Sequence, residues 1–152
     1  DWNVLENFIL SHSSVLRPVV GSCFETYIDE ILKMAGAFGL VSRGAGAQSI
    51  SGFAIARVAA EECELLTLGV APESRAIGFG AQLLQATMTR AVVEKAKWIF
   101  LEVSENNLAA LRLYRSYGFV KVGNRPQYYE NADGTRSAAY TMRIALPTLT
   151  FC

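Results

Sequence analysis

Apolar positions along the chain recur at two spacings, and the spacing switches roughly every ten to twenty residues, where Gly, Ser, Asn or Asp interrupts. Residues 24–36 (FETYIDEILKMAG) set Phe24, Tyr27, Ile28, Ile31 and Met34 at helical intervals, with Gly36 as a stop. Two strands follow, GLVSRG and SGFAIARVA, joined across the Gly- and Ser-containing stretch 44–49 as a hairpin connection. A third strand runs from Cys63 to Val70. Residues 78–97 carry a helical stripe at Leu84, Met88, Ala91 and Val92, and Lys95 and Lys97 suit the negative end of a helix. WIFLEV, from Trp98, reads as a strand, residues 107–117 as a short helix, and Gly118 as the turn into FVKVG. A last hairpin turns at Asp133 and Gly134 before SAAYTMRIAL. The order β-β-β-α-β-α-β-β predicts a mixed, largely antiparallel sheet with helices packed on it.

Composition narrows the class. With 152 residues, 51% of them hydrophobic, the chain suits one domain over residues 1–152, a size that buries roughly 68–70% of its extended surface without staples. No repeat, low-complexity tract or linker divides it. Cys23, Cys63 and Cys152 are an odd, widely spaced set. With the single histidine, His12, they make neither a zinc site nor a secreted framework, so no metal is expected and a reducing, cytoplasmic setting is. The longest apolar run, Met34 to Val41, is far below the roughly 18 residues of a membrane span. The first basic residue is Arg17, so the start does not read as a signal peptide, and the lack of an initial methionine suggests a few missing residues. Net charge is zero, but residues 1–76 carry 5 basic against 9 acidic side chains and residues 77–152 carry 9 against 5. Halves of −4 and +4 are too modest for a nucleic-acid binder, yet compatible with a small anion on the second half.

The segment 65–84, LLTLGVAPESRAIGFGAQLL, is a strand feeding through a short loop into a helix whose first turn is glycine-rich. Gly78 and Gly80 each cost about 1 kcal/mol against alanine inside a helix, so something must compensate. Either they allow tight helix packing, or they let a ligand approach unpaired N–H groups that form a phosphate cradle. Gly69, inside a leucine-rich strand, marks a bulge or another backbone lying close. Two familiar phosphate loops fail here. A P-loop needs Gly-Lys-Ser/Thr, and Gly80 is followed by Ala81 and Gln82. A dinucleotide fingerprint needs a third glycine where Leu83 stands.

The segment 100–119, FLEVSENNLAALRLYRSYGF, starts with a misplaced charge. In a strand Trp98, Phe100 and Glu102 share one face, so a carboxylate partly desolvated beside aromatics suits a general base. The alternative is a face that ends at the sheet edge with Glu102 in water. Tyr114, on a helix with Ala110, Leu111, Leu113 and Tyr117, is either a packed core residue or a proton donor. Asn107 is either a helix cap or a ligand contact.

These residues carry a resemblance. Arg75-Ala76-Ile77-Gly78-Phe79-Gly80 resembles the (Gln/Arg)-x-x-Gly-x-(Gly/Ala) pyrophosphate loop of the GNAT superfamily of acetyl-CoA-dependent N-acetyltransferases, and the strand with Gly69 resembles its bulged strand. LEVSENNLAALRLYRSYGF is similar to the Leu-Glu-Val, Asn and Leu-Tyr…Gly-Phe run of the bacterial ribosomal-protein alanine N-acetyltransferases (RimI), and Asn124 to Tyr129 to their Arg-x-x-Tyr-Tyr segment. The likeness covers about residues 50–145. It implies an α/β (α+β) GNAT fold, a mixed, largely antiparallel sheet with a bulged, splayed central strand and flanking helices.

The resemblance further implies that acetyl-CoA is the acetyl donor. Leu68, Gly69 and Val70 would line its pantetheine arm, backbone amides of Arg75, Ala76, Ile77, Gly78, Phe79, Gly80 and Ala81 would hold its pyrophosphate, and Asn107 would bind it further along. Glu102 matches the general base and Tyr114 the acid that protonates the departing thiolate; a strand amide near Gly69 or Val70, freed by the bulge, would polarise the thioester. Tyr128 and Tyr129 would line an acceptor groove. The implied acceptor is a protein N-terminus, the alanine of a ribosomal protein. Rivals are the same chemistry on a small amine, an antibiotic or an internal lysine, and a non-catalytic acyl-CoA sensor.

Overall fold

In the structure, a computed structural model that describes residues 30–44 and 50–149, the period-2 segments become six strands and the period-3.6 segments two helices. They are β1 (Ala37–Arg43), β2 (Ile50–Ala59), β3 (Glu62–Val70), α1 (Phe79–Val93), β4 (Trp98–Ser104), α2 (Leu108–Ser116), β5 (Val120–Glu130) and β6 (Arg136–Ala145), the predicted order. Of the helix read over 24–36, residues 30–32 are helical; residues 24–29, the connection 45–49, His12, Cys23 and Cys152 lie outside the described residues.

The sheet runs β1-β2-β3-β4-β6-β5 and is antiparallel except where β3 lies beside β4. Side-chain alternation sends Ala54, Ala56, Leu65, Ile99, Leu101, Val103 and Met142 into one cluster with Leu83, Leu84 and Ala91 of α1 and Leu111 and Tyr114 of α2. Phe53 and Ile55, on the opposite face of β2, are also fully buried.

The central parallel pair is short. It holds from Glu62↔Trp98 to Leu65↔Leu101 and then stops, while β3 stays paired with β2 as far as Val70 and β4 with β6 as far as Ser104. Each strand is kept extended by its outer neighbour, so the two part as a wedge. This is the splay the resemblance implied. The bulge beside it falls at Leu66, between Ile55↔Thr67 and Ala56↔Leu65, and not at Gly69, which pairs in register with Phe53.

Both helices end in the same hydrogen-bonded motif. In α1, Ala96 N–H bonds Ala91 C=O (2.9 Å) and Lys95 N–H bonds Val92 C=O (3.0 Å), with Lys95 itself left-handed at φ +63°. The helix therefore stops at Val93, and the lysines read as its last turn lie beyond it. In α2, Phe119 N–H bonds Tyr114 C=O (3.1 Å) and Gly118 N–H bonds Arg115 C=O (3.0 Å). The usual apolar contact across this motif is here Phe119 on Tyr114, ring centroids 5.6 Å apart, which fixes the tyrosine.

β5 is longer than the segment FVKVG, running on through Pro126 to Glu130. As an edge strand, paired only with β6, it tolerates a proline that cannot donate to a ladder. Arg125↔Ala139 and Tyr129↔Ser137 leave two extra residues on β5, a wide bulge at which Gln127 takes φ +54°.

Gly69 is explained by a close neighbour, though a ring and not a backbone: an added Cβ would lie 2.8 Å from Cε1 of the buried Phe53. Gly69→Ala should therefore lower stability by about 1–3 kcal/mol, read as a fall in the urea midpoint, with recovery in Gly69→Ala/Phe53→Leu. An unchanged midpoint in the single variant would contradict this packing.

Candidate active site

The wedge exposes the inner edge of β3. Ala71 N–H bonds Ser51 C=O across to β2 (2.8 Å), and alternation then points the amides of Gly69 and Thr67 the same way and those of Leu68 and Val70 towards the gap. Arg75 Nε donates to Val70 C=O (3.3 Å) from that side. The free strand amide is thus that of Val70 or Leu68, and not of Gly69, whose N–H faces β2. Divergence from β4 frees it, and not the bulge.

Just beyond, the chain turns into α1 through a loop in which Ala76 (φ +60°) and Gly78 (φ +98°) are left-handed. Gly78 is the N-cap, without a side-chain cap, and the first helical bond is Gln82 N–H to Gly78 C=O (3.0 Å). The amides of residues 76–81 therefore have no backbone acceptor among the described residues. Tight helix packing explains neither glycine. A Cβ on Gly78 would meet nothing within 4 Å, and one on Gly80 would touch Leu113 Cδ2 at 3.4 Å, an ordinary contact. Gly78 is needed for its backbone angle.

Glu102 is the first residue of β4 past the last pair with β3, so the ladder that ends at Leu101 places it at the apex of the gap. Its side chain is 27% exposed, and its Oε1 lies 3.2 Å from Arg125 Nε in an ion pair. The aromatic face predicted for it thus includes a cation. Tyr114 is 7% exposed. Its hydroxyl makes no hydrogen bond among the described residues, and none of their buried side-chain polar atoms lacks a partner, so the hydroxyl is the tip that reaches the surface. Burial, and then the neighbouring Tyr129, push its pKa up to about 12. Tyr129 is raised by burial first, next by Glu102 and Tyr128, with Arg125 opposing, so it is an electrostatic neighbour of the glutamate as well as of Tyr114. Tyr128, half exposed, packs edge-on to Tyr129 at 5.1 Å.

Asn107 is observed as the cap of α2, its Oδ1 accepting from Ala110 N–H (3.2 Å), which leaves its amide NH2 for any ligand. Cys63 is fully buried and its thiol is pushed up to about 12, chiefly by burial, so it is no nucleophile. Among the described residues no group of His, Cys, Asp and Glu could hold a metal, and no helix is long and apolar enough to cross a membrane.

Arg125, matched in the sequence only as part of the Arg-x-x-Tyr-Tyr segment and given no role there, is the residue whose place in the site sequence reasoning missed. Ser104↔Ala139↔Arg125 is one lateral row and Glu102↔Thr141↔Gly123 the next on the same face, so Arg125 reaches Glu102 diagonally across β6, two strands over and two residues along. Only the register across three strands reveals that pairing.

The sequence pattern of the acetyltransferase (GNAT) family matches residues 14–119. The chain belongs to this family. It is 34% identical over 98 residues to the ribosomal protein bS18-alanine N-acetyltransferase of Haemophilus ducreyi, covering 64% of this chain and 68% of that protein. It is 42% identical over 82 residues to the N-alpha-acetyltransferase RimI of Mycobacterium tuberculosis, covering 54% and 48%. The match spans about half to two thirds of the length of these relatives. The crystal structure of the ribosomal-protein-S18-alanine N-acetyltransferase from Escherichia coli aligns with a TM-score of 0.74 at 25% identity, over 84% of this chain and 79% of that one. The GNAT pattern reaches back to residue 14, well before the stretch from about residue 50 in which motifs are readable.

The buried setting of the Tyr114 hydroxyl has a direct readout. Comparing phenolate absorbance of the wild type with Tyr114→Phe across alkaline pH should show a phenol ionising near 12. Ionisation near the ordinary value of about 10 would contradict the buried setting.

Proposed function

We propose that the protein is a cytoplasmic acetyl-CoA-dependent N-acetyltransferase that acts on a protein N-terminal α-amine, the alanine of a ribosomal protein, by direct transfer. The observation that carries this reading is a carboxylate at the apex of the β3–β4 gap, beside a free strand edge, with Tyr129 as an electrostatic neighbour of both that carboxylate and the buried Tyr114, in a chain of the GNAT family. The ribosomal acceptor rests on the relatives that carry that name.

Acetyl-CoA supplies an activated acyl group. Its pantetheine arm suits the unpaired edge from Leu68 to Val70, and its pyrophosphate the free amides between Ala76 and Ala81 at a helix N-terminus. The acceptor must be neutral to attack. An α-amine, with a pKa of about 7.7–8.0, has a few hundredfold more neutral form at pH 7 than a lysine at about 10.4. Glu102, directly or through water, takes the proton, the amide of Val70 polarises the thioester carbonyl, and Tyr114 faces the departing sulfur. A phenol near 12 lies about 3–4 units above a thiol near 8.5, so complete transfer of its proton is uphill by about 5 kcal/mol. Tyr114 therefore serves best as a hydrogen-bond donor to the thiolate as the C–S bond breaks. Because it stays protonated, the rate should rise through the titration of the acceptor amine and hold level up to pH 10. A fall between pH 9 and 10 would contradict this assignment.

The direct test is thiol release from acetyl-CoA with peptides bearing a free N-terminal alanine, against the same peptides N-blocked with an internal lysine. Turnover is expected only with the free N-terminus. Glu102→Gln should cost about 10²–10⁴ in kcat while leaving acetyl-CoA binding unchanged. Equal turnover of both peptides, or full activity in Glu102→Gln, would overturn the reading.

A further inference from the structure

We propose that Arg125 is a positioning residue for the acceptor side of the site: braced on Tyr128, it holds one oxygen of Glu102 and leaves the other turned to the incoming amine. The inference rests on the reading of Glu102 as base and adds a residue to which no role has been given.

The geometry is specific. Arg125 Nε lies 3.2 Å from Glu102 Oε1, and Oε2 accepts no hydrogen bond among the described residues. The Arg125 guanidinium carbon stands 5.5 Å from the centroid of the Tyr128 ring. In a regular strand residues 125 and 128 point to opposite faces, because their separation is odd. They meet here because Tyr128 lies inside the bulge, where Gln127 takes a left-handed backbone at φ +54° and the regular alternation is broken. The ion pair itself does not offset this backbone strain. With side chains 60% and 27% exposed, the Arg125–Glu102 pair adds little to folding, whereas a left-handed glutamine costs. Arg136 Nη1 donating to Gln127 C=O (3.4 Å) and the edge-on Tyr128–Tyr129 pair support the bulge locally, and the bulge in turn sets Tyr128 against Arg125. Arginine suits the task better than lysine, since its planar group can stack on the ring and face the carboxylate at once.

An acceptor arriving as an ammonium would find a carboxylate held at one oxygen only. Arg125 thus fixes the base's direction without occupying both of its lone-pair faces. Its loss should slow the chemical step more than it weakens binding of either substrate, because a misdirected base is still present.

The test uses the full chain and the free N-terminal alanine peptide. Arg125→Met should lower kcat about 10- to 100-fold with KM for acetyl-CoA unchanged, and Arg125→Lys should recover part of the loss. Tyr128→Leu, which removes the brace and keeps the charge, should give a smaller loss of kcat. On a Glu102→Gln background Arg125→Met should cost nothing further, since Arg125 acts through that carboxylate. Unchanged melting temperatures would separate these effects from folding. Wild-type kcat in Arg125→Met with an inactive Glu102→Gln would overturn the proposal and leave the base intact. A loss in Arg125→Met that persists in full on the Glu102→Gln background would also overturn it. Wild-type turnover in Glu102→Gln alone would overturn the base reading and this proposal with it. Should Arg125→Met fail to fold, Tyr128→Leu decides: an unchanged kcat there, with Glu102→Gln inactive, refutes the brace.

Discussion

The parallel pairing of β3 with β4 lasts four residues on each strand and then fails, and the rest of the site is arranged around that failure. Two strands can part only if each is kept straight by another neighbour. β2 does this for β3 as far as Val70, and β6 does it for β4 as far as Ser104. The result is a pair of unpaired inner edges in the middle of a sheet, where backbone polar groups ordinarily satisfy one another. Such edges are a liability unless something fills them. A slender chain with amide groups of its own, such as a pantetheine arm, is the kind of ligand that can.

Elements on either side of the gap are tied to it by ordinary packing. α1 begins where β3 ends, so its unpaired amides open beside the free edge, and Tyr117 Oη donates to Ala81 C=O (3.4 Å) to hold α2 against that first turn. The end of α2 sets Tyr114 through the contact of Phe119 with its ring. On the far side, the loop after β4 is clamped to β6: Glu105 Oε1 accepts from Ala138 N–H (2.8 Å) and Glu105 Oε2 from Tyr140 Oη (3.3 Å). Groups that must work within an ångström are thus carried by strands and helix ends, and none by a free loop.

Much of this was legible in the sequence because it is written in local periodicity. The strand and helix order followed from the apolar spacing, and Gly78, Phe79 and Gly80 announced a helix start that ordinary propensity disfavours. What escaped was nonlocal. Gly69 reads as a bulge by composition, yet the bulge is at Leu66 and the glycine answers to the ring of Phe53 across the strand pair. Lys95 reads as a helical residue, but its backbone turns over into the cap, a conformation usually left to glycine. Arg125 was legible only as the arginine of the Arg-x-x-Tyr-Tyr segment; its pairing with Glu102 was not, because it depends on the register of three strands. Asn107 kept both of its readings, since a cap uses one end of its amide and leaves the other.

The claim that the β3–β4 gap is the acetyl-CoA cleft is tested most directly by amide hydrogen exchange, resolved by residue, with and without acetyl-CoA. New protection is expected at Leu68, Val70 and the amides between Ala76 and Ala81, with Gly69 unchanged because it is already bonded towards β2. Protection confined to the outer edges, β1 or β5, with no change along Leu68 to Ala81, would contradict it.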